Sequence, residues 1–131
     1  LQKIWRREEM FLLDSSVILE IINATTKGEE IINKLRGEIF STPFSIYEIF
    51  LGLKKGELVL IEKLLNAVKI INFDTNSSLS SVQIMQNLMK KGAKINIIDI
   101  FIASIAISND LTLVSLDKDF EKINDLKVII F

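Results

Sequence analysis

At 131 residues, 49% of them hydrophobic, the chain has the length of one domain and enough apolar side chains to bury a core without covalent staples. It contains no Cys and no His, which excludes disulfides, thiolate chemistry, Cys/His zinc sites and every Ser-His or Cys-His catalytic pairing. With 16 basic and 17 acidic residues the net charge is -1, so no global positive field draws the protein onto a polyanion, and any nucleic-acid contact has to be local.

Residues 1–9 are polar and lack the apolar stretch of a signal peptide, so the expected division is an N-terminal extension, 1–9, and a folded domain, 10–131. Phe11-Leu12-Leu13 reads as a first strand, and Asp14-Ser15-Ser16 suits the cap of a helix over 17–23. A second amphipathic helix follows over 28–35, closed by Gly37, with Ile31, Ile32 and Leu35 on its buried side. Residues 38–42 read as a second strand stopped by Pro43, and a helix is expected from Ser45 to Lys54 or Lys55. Next come a helix over 57–67, a third strand over 68–73, and a helix over 75–91 ending in two lysines before Gly92. That helix carries Leu79, Val82, Met85, Gln86 and Met89 at helical spacing.

Residues 98–109 are apolar almost all round, which predicts the most buried helix, and the longest apolar run, 95–107, falls short of the about 20 residues that cross a bilayer. A fourth strand over 111–115, a short helix over 117–123 and a final strand over 127–130 complete the pattern. Strands alternating with helices predict an α/β fold: a three-layer α/β/α sandwich around a mainly parallel sheet. The protein is expected to be soluble and cytoplasmic, with no membrane partner.

In open α/β sheets ligands bind beyond the carboxyl ends of the strands. Four acids fall there: Asp14 after the first strand, Glu48 in the helix after the second, Asp99 opening the buried helix, and Asp117 after the fourth strand. Each has a structural reading of its own. Asp14 suits a plain N-cap, and Ser45-Ile46-Tyr47-Glu48 has capping-box spacing. Asp99 complements a helix dipole, and Asp117 and Asp119 lie in a polar turn. All four at one sheet edge is a different matter, because clustered carboxylates repel unless a cation joins them. An all-oxygen donor set favours Mg²⁺ or Mn²⁺, and the chemistry that follows is phosphodiester hydrolysis. Ser16 and Ser115, each two residues from an Asp, are placed to orient a carboxylate or water.

Four stretches, in chain order, resemble the motifs of PIN-domain ribonucleases: Phe11-Leu12-Leu13-Asp14-Ser15-Ser16-Val17-Ile18, Ser45-Ile46-Tyr47-Glu48-Ile49-Phe50-Leu51-Gly52, Ile98-Asp99-Ile100-Phe101-Ile102-Ala103-Ser104 and Leu113-Val114-Ser115-Leu116-Asp117-Lys118-Asp119-Phe120. The short length and the Lys90-Lys91-Gly92 turn are similar to the VapC-type toxins of toxin-antitoxin pairs. The resemblance implies an endoribonuclease dependent on Mg²⁺ or Mn²⁺, often a homodimer, held inactive by a cognate antitoxin. It implies Asp14, Glu48, Asp99 and Asp117 as catalytic metal ligands, with Ser16 and Ser115 in support. Asp119 is read as a ligand, a water-mediated partner or a cap. The family often has Ala after the third acid, where this chain has the bulkier Ile100 and Phe101.

Lys54, Lys55, Lys90, Lys91 and Lys94 are the candidate RNA contacts, weighed against the ordinary role of solvated helix-terminal lysines. Two alternatives stand beside the nuclease. A Mg²⁺-dependent phosphatase of the haloacid-dehalogenase type expects Asp-x-Asp after the first strand, and position 16 is Ser. A catalytically silent PIN-fold scaffold for a protein partner expects lost acids, and all four are present.

Overall fold

Met10-Phe11-Leu12-Leu13 offers apolar side chains to both faces of a sheet, which suits only a central strand. In the computed structural model, which describes residues 9–54 and 57–131, these residues form β1 (Met10–Leu13). It pairs in parallel with β2 (Glu38–Ser41) on one side and β4 (Thr112–Ser115) on the other, while β3 (Lys69–Ile70) and β5 (Val128–Ile130) are the edges. The five-stranded order is β3-β2-β1-β4-β5, every pairing parallel.

Helices α1 (Ser15–Ile22) and α2 (Thr26–Lys34) connect β1 to β2, and α3 (Pro43–Leu51) and α4 (Leu58–Ala67) connect β2 to β3. Helices α5 (Thr75–Lys91) and α6 (Ile97–Ser108) lead to β4, and a 3-10 turn at Lys118–Lys122 leads to β5. Side chains alternate across the sheet as strand geometry requires. Phe11, Leu13 and Val114 pack with Val17, Ile18, Ile31, Ile49 and Ile61 of the first four helices. Leu12 and Leu113 pack on the other face with Ile84 and Leu88 of α5 and with α6. The result is the expected three-layer α/β/α sandwich. As its all-round apolar sequence predicts, α6 is deeply buried, from Ile100 through Ala106 apart from half-exposed Phe101. Among the described residues no helix is long and apolar enough to cross a membrane.

Several local expectations change. Pro43 opens α3 at its first position, where its missing N–H costs nothing, and Thr42 caps the helix by accepting from Ser45 N at 3.1 Å. The helix ends at Leu51, so Lys54 lies in the connection to α4, and Lys55 is outside the described residues, as are residues 1–8 of the expected extension. Only two residues of the expected 68–73 strand pair with β2. On α2, Ile31 is fully buried but Ile32 is 52% exposed.

The residues at helical spacing on α5 divide between core and surface. Its buried residues are Ser77, Ser81, Ile84 and Leu88, and the stripe Leu79, Val82 and Met89 faces outward. Two small serines occupy half of the packed face because their hydroxyls find partners, Ser77 with Ser108 at 2.9 Å and Ser81 with the Ser78 carbonyl at 2.7 Å. Of the residues singled out by spacing, Met85 packs on the core, so hydrophobic spacing alone does not separate the packed face from the exposed one.

Gly28 marks the tightest helix contact. A Cβ there would meet the Glu20 carbonyl oxygen at 2.3 Å, backbone against backbone, so α1 and α2 would have to part. Gly28→Ala is expected to destabilise the fold by about 2 kcal/mol despite the gain in helix propensity, checked as a fall in thermal midpoint.

Candidate active site

The chain runs outward from β1 to β2 and β3, then returns to β4 and β5 on the other side, so the order in which strands are added reverses between β1 and β4. A crevice at the carboxyl ends of two such strands is the expected ligand position. The register Leu13↔Val114 brings the next pair, Asp14 and Ser115, to that crevice. Continuing the strand alternation turns both toward the α6 side, the side of Leu12 and Leu113.

Asp14 is the hub. It is 6% exposed, and its carboxylate caps α1 by accepting from Val17 N at 3.2 Å and from Ser16 Oγ at 2.6 Å, while its other oxygen accepts a short hydrogen bond from Ser115 Oγ. The two serines pass the connection on: Ser16 Oγ accepts from Leu116 N at 3.1 Å and Ser115 Oγ from Asp117 N at 2.9 Å. The start of α1 and the loop after β4 are thus bound through one carboxylate. Burial raises the Asp14 pKa above its ordinary value, against the opposing pull of the donated hydrogen bonds from Ser115, Ser16 and Val17 N.

Glu48 lies in the second turn of α3, not the first, because the helix starts at Pro43. The capping-box reading fails with that shift: Ser45 is inside the helix and Thr42 is the cap. The Glu48 carboxylate instead accepts from Ser15 Oγ at 3.1 Å, across the start of α1. Asp117 caps the 3-10 turn through Asp119 N at 2.9 Å, and Asp119 pairs with Lys122 at 2.9 Å.

Asp99, in the first turn of α6 below the Asn96 cap, is half-buried and has its pKa pushed up to about 6. Burial is the largest cause, followed by the carboxylates of Asp117, Glu48, Asp14 and Asp119. All five acids singled out from the sequence therefore share one electrostatic neighbourhood. Among the described residues, no three acids lie close enough to grip one ion as the side chains stand. The donor set nonetheless fits a hard divalent cation, since Mg²⁺ uses only one or two carboxylates and retains several waters.

The cationic candidates are more scattered. Lys91 Nζ donates to the Lys122 carbonyl at 2.9 Å and to Asn124 Oδ1 at 2.6 Å, tying the end of α5 to the 3-10 turn. Lys54, Lys90 and Lys94 are exposed. Sequence reasoning missed the bond from Ser15 to Glu48, and the Thr42 cap, although a hydroxyl just before a helical run is itself a capping signal. It also missed a partly buried aromatic cluster, Phe44, Phe73 and Phe101, which no sequence spacing announces.

Comparison with known proteins bears on the fold and the family. No curated protein sequence matches the chain. Among solved structures, the chain is similar to VapBC2 from Rickettsia felis bound to a promoter DNA fragment, with a TM-score of 0.83 and 24% identity over 93% of this chain and 98% of that one. It is similar to DNA-bound VapBC from Salmonella typhimurium, with a TM-score of 0.80 and 23% identity over 93% and 98% of the two chains. FitAcB from Neisseria gonorrhoeae gives a TM-score of 0.79 and 26% identity over 92% and 96%. The sequence profile of the PIN domain matches residues 11–126, a span that holds all four acidic motifs, and the chain belongs to the PIN domain family.

Proposed function

We propose that this protein is a metal-dependent endoribonuclease that cleaves RNA phosphodiester bonds, the toxin of a toxin-antitoxin pair acting in the cytoplasm. The observation that carries the reading is Asp99: a carboxyl group surrounded by four other acids, with its pKa raised to about 6, asks for a cation. Asp14, Glu48, Asp99 and Asp117 would hold Mg²⁺ or Mn²⁺, and Asp119 is close enough in charge to take part. When bound, the ion supplies a water of lowered pKa and charge neutralisation for the phosphate. Ser16 and Ser115 fix the Asp14 carboxylate, and Ser15 fixes that of Glu48, so the chain itself orients the donors.

Partners enter on a different observation. Two apolar areas lie exposed, Tyr47, Phe50, Leu51, Leu58, Val59 and Leu60 on α3 and α4, and Leu79, Val82 and Met89 on α5 with Ile97. Solvated monomers rarely keep such surfaces uncovered, which supports a homodimer and a cognate antitoxin as occupants. Fold neighbours are described as toxin-antitoxin complexes, and one as a toxin cleaving the sarcin-ricin loop. A second reading, a catalytically silent scaffold, draws on one observation: Asp14, Glu48, Asp117 and Asp119 each already have a partner within the protein.

The test is cleavage of structured and unstructured RNA by the purified chain with Mg²⁺, Mn²⁺ or EDTA. Cleavage with either ion and none with EDTA is expected; no cleavage in any buffer, with no heat of metal binding, selects the scaffold.

A further inference from the structure

Phe44, Phe73 and Phe101 meet from three separate elements: the first turn of α3, the loop after β3, and the second turn of α6. Phe73 and Phe101 are closest, with centroids 4.8 Å apart and planes tilted by 59°. Phe44 stacks on Phe101 at 5.5 Å and 30°, and meets Phe73 edge-on at 5.8 Å and 81°. These are the offset and edge-on arrangements that aromatic rings prefer. All three rings are only partly buried.

Their position matters more than their burial. Phe44 precedes Glu48 by one helical turn on the same face of α3, and Phe101 follows Asp99 by two residues on α6. Further along α3, Ile46 and Ile49 pack into the layer of α1–α4, whereas Phe44 packs with the opposite layer around α6. The start of α3 thus spans the carboxyl edge of the sheet, and the ring cluster joins it to α6. Glu48 and Asp99 are like charges that push these two helix starts apart.

We propose that this cluster is a positioning device for the acidic site, with Phe101 as its central residue, setting the separation of Glu48 from Asp99. Aromatic rings attract one another beyond the area they bury and prefer particular geometries, which aliphatic side chains of similar volume do not, so Phe101 at this position does more than fill space. The inference rests on the metal-site reading of the carboxylates.

Calorimetric titration of the apo-protein with Mn²⁺ tests it without recourse to cleavage. Phe101→Leu is expected to weaken Mn²⁺ binding roughly ten-fold. Phe101→Tyr, which keeps the ring, should bind as wild type. So should Ile31→Val, a core substitution on α2 that lowers thermal stability and lies in the layer of α1–α4, apart from the three rings. Folding is checked by circular dichroism; if Phe101→Leu does not fold, Phe44→Leu serves in the same comparison. Wild-type affinity in the folded Leu variant, or a loss shared by Phe101→Tyr or Ile31→Val, overturns the positioning role. A wild-type protein that takes up no Mn²⁺ overturns the metal-site reading itself, and this inference with it.

Discussion

Asp14→Ala is expected to abolish metal-dependent cleavage, by about a hundred-fold or more, and to destabilise the fold by about 2 kcal/mol. The two effects have different origins. The loss of activity follows from removing a carboxylate at the crevice between β1 and β4. The loss of stability follows from what that carboxylate holds: the N-cap bond to Val17 N and the hydroxyls of Ser16 and Ser115, one half-buried and the other fully buried. An N-cap lost to Ala costs about 1 kcal/mol, and a buried hydroxyl left without its acceptor costs about 1–3 kcal/mol. Relief of the buried charge, visible in the raised pKa, offsets part of this. Asp14→Asn separates the terms, because its side-chain oxygen still caps α1 and the charge is gone. It is expected to be as inactive as the Ala variant but to lose less thermal stability, since only the Ser115 hydroxyl, now facing an NH₂ group, loses its acceptor. Cleavage at wild-type rates by Asp14→Asn would remove this residue from the mechanism.

Asp99→Asn is expected to lose cleavage to a similar degree and to gain stability above neutral pH, the opposite of the usual result of altering a buried polar residue. Asp99 holds its proton up to about pH 6 in the folded chain, against 3.8 as its ordinary value. Between those limits the native state binds more protons than the unfolded state, so stability falls as pH rises through the window from about 4 to 6 and stays low above it. Taken at face value the displacement is worth about 3 kcal/mol, but a half-exposed group is screened by solvent, and on the order of 1 kcal/mol is the appropriate expectation. The first-turn position on α6 offers a favourable helix dipole, which burial and four neighbouring carboxylates outweigh. In urea titrations without divalent cations, the wild type should therefore weaken from pH 4.5 to 7.5 and Asp99→Asn should weaken less, the raised pKa of Asp14 remaining in both. An equal pH dependence in both proteins would show that Asp99 does not carry the repulsion. Added Mg²⁺ at pH 7.5 should stabilise the wild type and leave the variant unchanged, since a ligand stabilises only the state that binds it.

The sheet and its order of elements were legible because apolar runs and helical periods differ in kind, and Asp, Ser, Pro and Gly mark the boundaries between them. The acids were legible for the same reason: Asp14 and Asp117 are fixed by strand ends, and Asp99 by a helix start beside Asn96. Errors arose where one local signal had two physical meanings. Ser45 and Glu48 have the spacing of a capping box, but Thr42 and Pro43 start the helix earlier and turn Glu48 toward Ser15. The spaced apolar residues of α5 look alike, but of them Met85 alone packs on the core, and Ser77 and Ser81, which bond within the protein, fill the face beside Ile84 and Leu88. Phe101 stood out only as bulk after an acid. Its partners Phe44 and Phe73 come from distant positions, so tertiary folding alone brings the rings together.

The most direct test of a carboxylate cluster built for a cation is the titration of the Asp99 side-chain carboxyl by NMR, without and with saturating Mg²⁺. The expected midpoint is about 6 without the ion, falling below the ordinary value of 3.8 once Mg²⁺ replaces repulsion with attraction. A midpoint near 6 that does not move when Mg²⁺ is added would contradict the account.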